Sequence, residues 1–130
     1  MKNTIAHRET RMKTTFRLAV ATLAAAASPF AFAHAQLVAS SPSRGQVLDA
    51  PPIEIKLTFN ERVEPRFARV KLVSADKKYF DADRAHADKT DPNSVEMSVP
   101  VLKSGTYRAV WTAVGDDGHK THGDFSFTIK

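Results

Sequence analysis

From residue 53 to the C-terminus, apolar side chains recur at every second position and nowhere at a helical spacing. Ile53, Ile55, Leu57 and Phe59 alternate with Glu54, Lys56 and Thr58. Val70 and Leu72 alternate with Arg69 and Lys71, and Val95, Met97 and Val99 with Glu96 and Ser98. Tyr107, Ala109, Trp111 and Ala113 share one face of a longer run; Phe125, Phe127 and Ile129 close the chain. A period of two places successive side chains on opposite faces of an extended backbone, so each run predicts a half-buried strand. A short first strand is expected within 34–40, around Leu37 and Val38. Turn formers separate the runs, among them Ser41-Pro42, Arg44-Gly45, Glu64-Pro65, Asp91-Pro92 and Ser104-Gly105. Residues 74–94 are polar apart from Tyr79 and Phe80 and read as a loop with one weak edge strand. About seven short strands in roughly 100 residues predict an all-β fold, an antiparallel immunoglobulin-like β-sandwich with Greek-key connections. Trp111, with apolar strand-mates, is expected in its core.

Residues 1–33 read as a signal peptide. Lys13 and Arg17 supply positive charge, Leu18 to Ala27 an apolar stretch, and Ala31-Phe32-Ala33 a small-residue cleavage site. The apolar stretch is short for a membrane anchor, the competing reading. Met12 offers a second plausible start. Cleavage would leave 34–130 as one exported domain. That segment carries 14 Lys and Arg against 13 Asp and Glu, so the basic balance of the whole chain comes from its leader. No nucleic-acid partner is expected. The absence of cysteine excludes thiolate metal sites and cysteine nucleophiles.

Cleavage at that junction makes His34 the first residue, with a free α-amine and an imidazole on one residue. Three other histidines follow it: His86, His119 and His122. Asp117 and His119 flank Gly118; in extended chain that spacing puts both side chains on one face. Two nitrogens from His34, one from His119 and an oxygen from Asp117 form an N3O set. Such a set suits tetragonal Cu(II), which also heads the divalent affinity order. Zinc prefers a tetrahedron, and calcium wants more oxygens. The metal ligands expected are therefore His34, Asp117 and His119, with copper, Cu(II), as the ion.

The segment after cleavage resembles the CopC family of periplasmic copper-resistance proteins. The resemblance rests on His34 and Leu37, on Ser41-Pro42, on Leu57-Thr58-Phe59-Asn60-Glu61, on Gly105-Thr106-Tyr107 and on Trp111. It continues through Asp117-Gly118-His119, Gly123 and Phe125-Ser126-Phe127. It implies Cu(II) binding by His34, Asp117 and His119, with Glu61 either near the metal or a strand-end surface charge. It further implies a monomeric, non-enzymatic protein that sequesters copper or passes it to an inner-membrane copper transport protein. Two features depart from the family. Met97 is the one methionine after the leader, so a thioether Cu(I) site of the kind some members carry is not expected. Lys120 stands where proline is common, and His122 is an extra histidine, expected in a solvent-exposed loop. Two other functions stay open at this point: a copper-dependent oxygenase with an N-terminal histidine brace, and a metal-free immunoglobulin-like interaction module.

Overall fold

The computed structural model describes residues 34–130. The expected leader lies outside the described residues, within which no helix is long and apolar enough to cross a membrane. Nine strands form there: β1 (Leu37–Ser41), β2 (Val47–Leu48), β3 (Glu54–Phe59), β4 (Arg69–Ser74), β5 (Tyr79–Asp81), β6 (His86–Ala87), β7 (Ser94–Ser98), β8 (Gly105–Val114) and β9 (Lys120–Ile129). They make two sheets, β1-β3-β7-β6 and β2-β9-β8-β4-β5. Pairing is antiparallel except where β2 runs parallel to the end of β9. The chain changes sheet between β1 and β2, and four more times on the way to β8. The result is the all-β sandwich that the alternation predicts.

The inward sets are the ones the alternation marks. Ile55, Leu57 and Phe59 of β3, Val95 and Met97 of β7, Val70 and Leu72 of β4, and Tyr107, Ala109, Trp111 and Ala113 of β8 are buried with Phe125, Phe127 and Ile129 of β9. Phe59 and Trp111 meet edge to face across the two sheets, with ring centroids 5.4 Å apart, a favoured aromatic arrangement. The Tyr107 hydroxyl donates to the Lys103 carbonyl at 2.9 Å, which satisfies its polar end inside the core.

The structure departs from the expectation in four places. Ile53 is 83% exposed, because it precedes the first paired residue of β3 and its side chain has no facing sheet. Residues 74–94 hold two short edge strands, β5 and β6, one on each sheet. β2, two residues long, has too little sequence to show a period. β9 begins at Lys120, so His122 lies in a strand opposite Thr112 rather than in a loop.

Candidate metal centre

β8 and β9 pair without a break from Gly105↔Ile129 to Val114↔Lys120, leaving Gly115–His119 as the turn at one end of the sandwich. The Gly115 N–H donates to the His119 carbonyl at 3.1 Å, and Gly118 to the Gly115 carbonyl at 2.9 Å. Gly118 has φ +80°, a conformation other residues adopt only with strain. Asp117 fixes the turn further: its Oδ1 accepts from the His119 backbone N–H at 2.9 Å, the local bond that makes aspartate a turn former. The convergence of Asp117 and His119 is thus the work of the turn, and not of the two-residue strand spacing expected from the sequence.

His34 arrives from the other end of the described chain. It precedes β1, the edge strand of the opposite sheet, and its segment is clamped onto the end of β3. The Gln36 N–H donates to Asn60 Oδ1 at 2.7 Å, and the Asn60 N–H to the Gln36 carbonyl at 3.0 Å. Ala35 beside it is buried. Asn60 is a positioning residue that the sequence reading gave no role. Its signal was present, since an Asn just past a strand end often bonds neighbouring backbone.

These two devices bring the three expected ligands together. Among the described residues, His34, Asp117 and His119 form the one group of three or more His, Asp or Glu whose donor atoms lie within 4.8 Å of one another. Asp117 Oδ2 sits between the rings, 2.9 Å from His119 Nδ1 and 3.5 Å from His34 Nδ1. The two rings meet edge to face with centroids 4.6 Å apart. The His119 amide, above all, holds the Asp117 carboxyl below its ordinary range; the rings of His119 and His34 assist, against the opposing effect of desolvation. The carboxylate is therefore ionised at neutral pH and ready to bind a cation. It is His34 Nδ1 that turns toward this point, the ring nitrogen able to close a small chelate with its own main-chain nitrogen.

Glu61 lies beneath. Its Oε1 is buried without a hydrogen-bond partner. A Cβ built on Gly115 would come 2.5 Å from that oxygen and 3.0 Å from Asp117 Oδ1, so both acids crowd the same glycine. An orphaned carboxylate oxygen is costly unless a positive charge lies near. This fits the donor set to a cation and places Glu61 beside the site rather than on the surface. His122 is exposed on β9, outside the donor group, and His86 stands 3.4 Å from Glu96 on the first sheet.

Residues 37–130 match the family model described as the CopC domain. Copper transport protein CutJ of Bacillus subtilis is 33% identical over 99 residues, which are 75% of this chain and 18% of CutJ. The chain thus spans under a fifth of that relative. The crystal structure of CopC from Methylosinus trichosporium OB3b superposes with a TM-score of 0.68 at 28% identity, over 75% of this chain and 94% of that one. That of PcoC, a methionine-rich copper resistance protein from Escherichia coli, superposes with a TM-score of 0.63 at 32% identity, over 75% of this chain and all of PcoC.

Proposed function

The chain belongs to the CopC family of copper-binding copper-resistance proteins, and from that premise we propose that it is an exported Cu(II) carrier holding the ion at His34, Asp117 and His119. The observation that carries this reading is the convergence of those three side chains from opposite ends of the domain onto one point. The copper ion is cargo. His34 gives Nδ1 and, after cleavage at Ala33, its α-amine; His119 gives an imidazole nitrogen and Asp117 an oxygen. The protein's work is to hold these donors at one spacing, with Glu61 adding negative charge from below.

Cu(II) rather than Cu(I) is the ion this chain suits. Soft thioether and thiolate donors select Cu(I). PcoC is methionine-rich; here Met97 is fully buried in the core and cysteine is absent. A carboxylate in the set also favours the harder ion, and by filling a position it leaves less room for oxygen chemistry. Binding without catalysis is the reading we adopt, in a monomer of the periplasm. In CutJ the similar region is a small part of a much longer copper transport protein, which supports delivery to an inner-membrane copper transporter.

The test is titration of the exported, processed protein with Cu(II), followed by electron paramagnetic resonance, and competition for Cu(I) against a selective chelator. One equivalent of tetragonal Cu(II) with nitrogen and oxygen donors, and far weaker Cu(I) binding, is expected. No uptake of Cu(II), or tighter binding of Cu(I), would overturn the reading.

A further inference from the structure

β2 pairs only with Thr128 and Ile129, so the first half of β9 has no strand on its outer edge. β1, the nearest strand across the sandwich, belongs to the other sheet. Between them runs a groove of about 380 Å³ lined by His34, Leu37, Arg44, Trp111, His122 and Gly123. Gly123 gives the Trp111 wall of the groove its room. A Cβ there would lie 2.7 to 3.1 Å from the Trp111 indole, so the indole lies flat against bare backbone. His34, a proposed copper ligand, lines the groove. Arg44 also lines it, and that side chain is set in place: its guanidinium donates to the Asp124 carbonyl at 2.8 Å. The next residue, Gly45, donates to the Ser126 carbonyl at 2.7 Å. Asp124's carboxylate is turned to Arg108 at 3.0 Å. A guanidinium has five N–H donors, so Arg44 keeps donors for a ligand in the groove.

We infer that this groove is the port through which copper is exchanged with small carboxylate chelators, Arg44 binding the carboxylate while the chelator's other donor reaches the ion beside His34. The inference rests on the Cu(II) reading of the site. Arg44 brings a positive charge into the groove itself, so the groove favours an anion over a neutral or cationic ligand. Guanidinium is also the side chain best shaped for a carboxylate. The exchange is substitution without redox change. Each bond from copper to a protein donor breaks as a bond to a chelator oxygen or nitrogen, or to water in any position the chelator leaves, forms. The freed amine and imidazoles take up the protons the chelator's amine gives up.

The experiment follows Cu(II) removal from the exported, processed protein by iminodiacetate and by ethylenediamine. The two are compared in wild type, Arg44→Gln and Arg44→Lys. Arg44 is exposed, and melting temperatures check that the variants fold. Arg44→Gln is expected to slow removal by iminodiacetate about three- to fivefold, what one exposed ion pair supplies. It should leave removal by ethylenediamine and the equilibrium Cu(II) affinity unchanged. Arg44→Lys should restore most of the rate, and added salt should erase the difference. Equal rates for wild type and Arg44→Gln with iminodiacetate, or equal slowing with both chelators, would overturn the port while leaving copper binding intact. A wild-type protein that takes up no Cu(II) would overturn both.

Discussion

Asp117 makes two kinds of bond, and they set what each substitution does. Its Oδ1 fixes the turn through the His119 amide; its Oδ2 faces both rings. Water can replace part of the oxygen's role toward copper but nothing replaces the His119 imidazole. His119→Ala should therefore weaken Cu(II) binding more than Asp117→Ala, by about tenfold or more against wild type if a good ligand is lost. Both variants should stay folded, since the turn is exposed; isothermal titration and circular dichroism give the two readouts. Wild-type affinity in both would remove the turn from the site. Gly123 makes a different kind of demand. Gly123→Ala forces a methyl group against the rigid Trp111 indole, an overpacking that costs about 1–3 kcal/mol. Denaturant unfolding should show the loss, with a changed Trp111 emission; unchanged stability would mean the indole moves freely.

Single elements explain what was legible in the sequence and what was not. The strands with two or more inward apolar residues announced themselves, because burial of one face imposes a period of two. β2 and β6, two residues each, have no room for a period, and tertiary pairing alone makes them strands. Asp117 and His119 were legible as a pair near a Gly-rich turn, but the hydrogen bonds that make the turn bring them together were not. His122 was misplaced because the polar run Lys120–Asp124 hides the start of β9: with Gly123 among its inward residues, the strand lacks apolar alternation there. The same limit hid the polar brace between β3 and the loop after β6. Lys56 of β3 bonds the largely buried Asp88 carboxylate, which also accepts from the Thr90 amide and hydroxyl. The Lys56 contact, first, and those of Thr90 hold Asp88 well below the carboxylate range, while Glu96, facing Asp88, is pushed up. A depressed folded pKa stabilises the fold above the unfolded value, near 3.9, and that contribution is lost as pH falls below it. Asp88→Asn should lower the melting temperature at pH 7. It should also flatten its decline between about pH 4 and 2; a parallel decline would show that another group controls acid unfolding.

At the scale of the whole molecule, the metal centre ties the N-terminal segment of one sheet to the β8–β9 turn of the other. Copper held as proposed would bind only the arrangement in which they meet, so it should raise the melting temperature by mass action. Protons compete with the ion for the amine and for the imidazoles, which bind it only when deprotonated. Asp117, held low, stays ionised on acidification but cannot retain the ion alone. Stabilisation by Cu(II) should thus fade from neutral pH toward about 5, and persistence to pH 4 would contradict the ligand set. The central claim is that His34 binds copper through its own terminus, and one measurement reaches it most directly. It is the Cu(II) affinity of a chain beginning at His34 compared with one carrying a single extra residue before it. In the extended chain the nitrogen is an amide and the chelate loses its amine. The account predicts binding weaker by about tenfold or more; equal affinity for the two termini would contradict it.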